Sequence, residues 1–111
     1  MATFILLTKL TAEGGKTLEA DPDRIDVVND QIGAFGCAVL SQYATLGQYD
    51  FVTIIEAPDT ATVARLSVHL GSRGTIRMET LPAIPRAEFI ETLKSRPAPA
   101  AADPSTPPAA P

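Results

Sequence analysis

Apolar positions cluster early in the chain. Phe4 to Leu7 is continuous, and the stretch Thr3 to Leu10 is short and β-rich, which predicts a strand. Thr11 to Gly15 breaks it, and a short helical piece follows over 12–20, weakened by Gly14 and Gly15. Asp21-Pro22 predicts the start of a longer helix, with Asp capping and Pro in the first turn, where its missing N–H costs nothing. Ile25, Val28, Ile32 and Phe35 then recur at helical spacing, and Gly36 ends the run. Residues 37–46 predict a second strand and Tyr49 to Ala57 a third, joined by Gly47-Gln48 as a two-residue hairpin loop. Pro58-Asp59 stops the third strand. Val63, Leu66 and Leu70 mark the next helix, which Gly71 and Gly74 bracket. Thr75 to Leu81 predicts a fourth strand. A short helix covers Arg86 to Lys94, with Phe89 and Leu93 facing inward.

The order is β-α-β-β-α-β with a terminal helix, which is the ferredoxin-like order of an α+β fold. A four-stranded antiparallel sheet would carry both main helices on one face. A two-residue loop sets Leu46 opposite Tyr49. One face then holds Leu46, Tyr49, Ala44, Phe51, Gln42, Thr53, Leu40 and Ile55, under the helices. The other holds Thr45, Asp50, Tyr43, Val52, Ser41, Ile54, Val39 and Glu56, joined by Arg77 and Glu79 of the fourth strand. That second face is mixed: Tyr43, Val52, Ile54 and Val39 would stay wet in a monomer. Sheet-to-sheet pairing of two copies, a homodimer or higher homo-oligomer, is the expected remedy.

Six of the last 17 residues are Pro and six are Ala. The division is therefore a domain over 1–94 and a Pro/Ala-rich tail over 95–111, expected to be disordered. The net charge of −4 sits on the domain, because Arg96 and Asp103 cancel in the tail. A broad basic surface for nucleic acid is thus excluded. Cys37 is the one cysteine, so no disulfide can form within the chain, and its place at a strand start suits a buried small residue. The run Phe4 to Leu7 has no basic segment before it and does not read as a signal peptide. No apolar stretch approaches membrane-helix length. A cytoplasmic protein is expected.

Three stretches carry a resemblance: FILLTKLT at 4–11, SQYATLGQYDFVTIIEAPD at 41–59 and GTIRMETLPAIP at 74–85. With them the chain resembles the GYD domain family, named for a glycine–tyrosine–aspartate signature; here Gln48 separates Gly47 from Tyr49. The resemblance covers about residues 3–93. It implies similarity to dimeric α/β-barrel proteins, a group of small enzymes and ligand-binding modules, without implying a reaction.

Tyr49 and Asp50 are the first candidate catalytic residues. An Asp beside a tight turn can serve as a base, and a neighbouring Tyr can donate to an oxyanion. Equally, Asp50 can bond turn amides while Tyr49 packs under the helices. Asp50, Glu56, Arg77 and Glu79 share the open face, although Asp50 and Glu56 stand ~20 Å apart along one strand and cannot form a dyad. They could instead make salt bridges at a dimer interface. His69, the only histidine, sits on the flank of its helix, where it could shuttle protons or be half exposed. Tyr43, Arg77, Glu79 and Lys9 are candidate ligand contacts, Lys9 and Arg77 together suiting a carboxylate or phosphate. One His and one Cys give no zinc ligand set, and the glycines match no nucleotide-binding pattern, so neither metal nor cofactor is expected. Two functions remain open: binding, with or without transformation, of a small molecule in a dimeric α/β barrel, or a non-catalytic oligomeric or protein-interaction module.

Overall fold

The computed structural model describes residues 1–95; the rest of the expected tail lies outside that range. Eight elements follow in order: β1 (Ala2–Leu10), α1 (Ala12–Ala20), α2 (Arg24–Ala34), β2 (Ala38–Ala44), β3 (Phe51–Ala57), α3 (Thr60–Gly71), β4 (Ile76–Ala83) and α4 (Arg86–Lys94). The strands form one antiparallel sheet in the order β2-β3-β1-β4. This is the ferredoxin-like α+β fold.

Strand alternation decides the layering. Phe4, Leu6 and Thr8 of β1 and Thr53, Ile55 and Ala57 of β3 are buried. Ile32 of α2 and Val63, Leu66 and Leu70 of α3 close over them, with Cys37 at the strand entry. Ile76 and Met78 of β4 pack against this core, on the face expected for them. Asp59 caps α3 by accepting from the backbone N–H of Thr62 at 2.8 Å.

Between α2 and the sheet lies a polar island. Asn29 donates to the side-chain oxygen of Gln42 at 2.9 Å, and Gln42 donates back at 3.2 Å and on to the Thr53 hydroxyl at 3.0 Å. The first helix forms despite its glycines. Thr11 caps it, its hydroxyl accepting from Gly14 N at 3.1 Å and donating to the Gly74 carbonyl at 2.7 Å. Gly14 is buried against β4, where a Cβ would stand 1.9 Å from the Thr75 carbonyl oxygen.

Four local expectations are corrected. Helix α2 starts at Arg24, because residues 21–23 form a turn in which Arg24 N donates to the Asp21 carbonyl at 3.1 Å. The hairpin is wider than two residues: Thr45 N donates to the Asp50 carbonyl at 2.8 Å, and Leu46 to Tyr49 form the loop, with Leu46 fully exposed rather than under the helices. Gly47 takes φ +110°, which only glycine adopts readily. The expected register holds from Ser41↔Ile54 to Ala44↔Phe51, then shifts at a bulge between Val39 and Ser41, so that Val39 pairs with Ile55. One extra residue reverses the alternation: Val39 packs on the core, whereas Leu40 is 54% exposed. Finally, α4 buries nothing; Phe89 and Leu93 are 48% and 65% exposed. The core is closed by α2 and α3, and no residue of α4 belongs to it.

Candidate functional site

The uncovered sheet face is the broadest surface the fold leaves without a layer. Register fixes its rows. Tyr43 pairs with Val52, Val52 with Leu7, and Leu7 with Glu79. The next row runs Ser41, Ile54, Ile5 and Leu81. Glu56 and Thr3 lie one row further, and Lys9 faces Arg77 at the opposite end. The middle of the face is therefore aliphatic, and Ile5 and Leu7 make it more so than the strand patterns imply. A strand that is apolar on both sides shows no alternation, so the uninterrupted run Phe4 to Leu7 is the available signal for them.

Tyr49 stands on this side rather than under the helices. Its hydroxyl donates to the Glu79 carboxylate, reaching across the end of β1 to β4. That hydrogen bond, then loss of water, then the Glu79 charge, hold its pKa above the ordinary phenol value. A phenol so held is a neutral donor at physiological pH. Asp50 extends the ladder instead of facing solvent alone: its N–H donates to the Thr8 carbonyl at 2.8 Å, and its Oδ2 accepts from Leu10 N at 2.7 Å. The carboxylate thus replaces a strand carbonyl at the point where β3 gives out.

Lys9 and Arg77 are exposed cross-strand neighbours of like charge, an arrangement that favours an anion beside them. Tyr43 stands out from the face on edge strand β2. The structure thus gathers Tyr49 with Glu79, and Lys9 with Arg77, at one end of the sheet. It does not bring His69 to them. His69 is exposed on α3, in the helical layer, with its ring 5.2 Å from that of Phe35. Glu56 is at the far end. Cys37 is buried, and burial, aided by the charge of Asp59, raises its thiol pKa. Among the described residues no three His, Cys, Asp or Glu side chains converge to hold a metal ion, and no helix is long and apolar enough to cross a membrane.

Known proteins extend the picture. A crystal structure of the Thermus thermophilus protein TTHA0845 superposes with a TM-score of 0.51 at 21% identity, covering 77% of this chain and 95% of that one. It supports the fold alone. Another Thermus thermophilus protein, described as a glutamine synthetase and cystathionine beta-lyase binding protein, is 52% identical over 95 residues, which is 85% of this chain and the whole of the relative. The sequence model of the GYD domain matches residues 4–93, nearly the span of the resemblance seen in the three sequence stretches. The chain belongs to the GYD domain family.

Proposed function

We propose that this chain is a non-catalytic protein-binding module that docks onto a metabolic enzyme, of the glutamine synthetase or cystathionine β-lyase kind. The relative described as binding those two enzymes carries the reading, because it aligns with this chain over its entire length at 52% identity. Two unpartnered apolar surfaces support it. The flat open face, with Ile5, Leu7, Val52 and Ile54 at its centre, suits a second copy of the chain in a sheet-to-sheet homodimer. Helix α4 is narrow and amphipathic, with Phe89, Ile90 and Leu93 exposed, and suits a groove on the enzyme. A cytoplasmic location follows from that choice of partners.

The test is surface plasmon resonance of the purified chain against the two enzymes from its own organism. Micromolar or tighter binding to either is expected, with Phe89→Glu weakening it and Tyr43→Arg instead producing monomers in sedimentation. No binding to either enzyme at tens of micromolar would refute the reading. A clean monomer of 11.7 kDa for the unmutated chain would refute the dimer separately.

The Lys9–Arg77 neighbours favour a second reading, in which the open face binds a small anionic molecule on its β1–β4 side, near Glu79. Thermal-shift screening of carboxylates and phosphates tests it. A hit that survives both Lys9→Gln and Arg77→Gln would refute this placement.

A further inference from the structure

We propose that the cavity between the helical layer and the sheet is a binding site for a short-chain monocarboxylate. The site is separate from the open face and does not depend on the enzyme-docking reading.

The cavity has a volume of about 90 Å³ and lies between β1, β3 and β4 on one side and α1, α2 and the end of α3 on the other. An apolar cavity of about 150 Å³ takes up benzene, so this space suits an organic molecule of roughly four to six non-hydrogen atoms. Its walls are aliphatic for most of their extent: Leu6, Ile25, Val28, Ile32, Phe51 and Met78 contribute. Such walls favour an alkyl chain over a fully polar ion.

The polar groups define the other end of the ligand. Asn29 and Gln42 line the cavity and bond each other, each side-chain carbonyl oxygen accepting from the other's amide. Gln42 spends its remaining N–H on Thr53. What remains are donors: the second amide proton of Asn29 and the hydroxyl protons of Thr53 and Thr8, none of which meets an acceptor among the described residues. Donors left without a protein acceptor at the cavity wall suit a ligand that accepts hydrogen bonds.

Charge narrows the choice. The chain has 13 acidic and 9 basic residues, yet the charged residues lining the cavity are Arg24 and Arg73, with no carboxylate among them. Two arginines in the lining, with no carboxylate to oppose them, favour a carboxylate over an amine or an alcohol. Apolar walls, a volume of this size, donors without acceptors and two guanidinium groups together describe an acid such as propionate or butyrate.

The probe is sodium butyrate, with butylamine and 1-butanol as size-matched controls, added to the full chain and followed by isothermal titration and by amide NMR shifts. Butyrate is expected to bind with a millimolar or lower Kd, and both controls at least tenfold more weakly. Shift changes should centre on the Asn29 and Gln42 side-chain amides and on Thr53. The variant R24Q/R73Q should weaken butyrate at least tenfold, and Val28→Phe, which fills the space, should abolish binding. Leu18→Phe serves the same purpose from α1 should the first variant not fold. Absence of butyrate binding to the unmutated chain, equal binding of the controls, shift changes centred elsewhere, or binding that survives a folded filling variant would each overturn the proposal.

Discussion

Replacing Gly14 by alanine puts a methyl group 1.9 Å from the carbonyl oxygen of Thr75, where α1 presses on β4. The obstacle is backbone, so it cannot rotate away; α1 must withdraw by roughly 1 Å or more. Two hydrogen bonds run through the same contact, Thr11 N to the Thr75 carbonyl at 3.0 Å and the Thr11 hydroxyl to the Gly74 carbonyl at 2.7 Å. Overpacking of this kind costs about 1–3 kcal/mol, and weakening such a bond about 0.5–1.5 kcal/mol. The helix gains about 1 kcal/mol from losing a glycine. The net expectation is a loss of about 2 kcal/mol, or roughly 8–16 °C in Tm for a domain of this size. Gly15 is the internal control. A Cβ there meets nothing within 4 Å, so Gly15→Ala should keep the propensity gain and raise Tm by a few degrees. Urea unfolding followed by circular dichroism measures both variants. Two alanines that shift stability in the same direction would refute the close approach of α1 to β4.

Four further outcomes are expected. Asp50→Ala removes the acceptor for Leu10 N and should cost about 1.5 kcal/mol in the same assay, with Asp50→Asn costing less because it keeps an oxygen. Tyr49 has a raised folded-state pKa, so its contribution to stability is full below the unfolded value of 10.0 and is lost as pH rises through the folded one. The Tm difference between wild type and Tyr49→Phe should therefore shrink on the alkaline side of pH 10.0. Asp59 behaves oppositely. Hydrogen bonds from the Thr62 hydroxyl and then its backbone N–H lower its pKa, so its contribution is present above the unfolded value of 3.8 and is lost as pH falls through the folded one; the gap between wild type and Asp59→Ala should close in acid. The Cys37 thiol should react with an aromatic disulfide reagent far more slowly in the native protein than in urea, since burial and the nearby Asp59 charge disfavour its thiolate.

The layering was legible in the sequence because alternation and helical spacing report burial directly. Phe51, Thr53 and Ile55 face the helices as the pattern required, and Val63, Leu66 and Leu70 seal the core as their spacing implied. What escaped the pattern was whatever changed the count of residues. An extra residue at Leu40 exchanged the faces of Val39 and Leu40, and a wider hairpin loop carried Tyr49 to the opposite side of the sheet. Neither insertion leaves a mark on hydrophobicity, because Val39 and Leu40 are both apolar. Helix α4 failed for a different reason. Its apolar spacing is real, but periodicity shows that a helix has a sticky side and is silent on whether the same chain supplies the surface for it. Asp50 was legible as a turn residue, yet its role as acceptor for Leu10 depends on how far β1 outruns β3, which only the pairing reveals.

The two outer strands bear on how copies of the chain can join. A sheet with free borders invites another sheet to continue it, which leads to fibrils rather than to closed assemblies. Here β2 carries the bulge at Leu40, which twists that border and interrupts its line of donors and acceptors. At the opposite border β4 carries Pro82, which has no N–H to offer. Growth by strand addition is blunted at both ends. Restoring both borders, by deleting Leu40 and exchanging Pro82 for valine, should turn a discrete particle into one prone to thioflavin-positive aggregation.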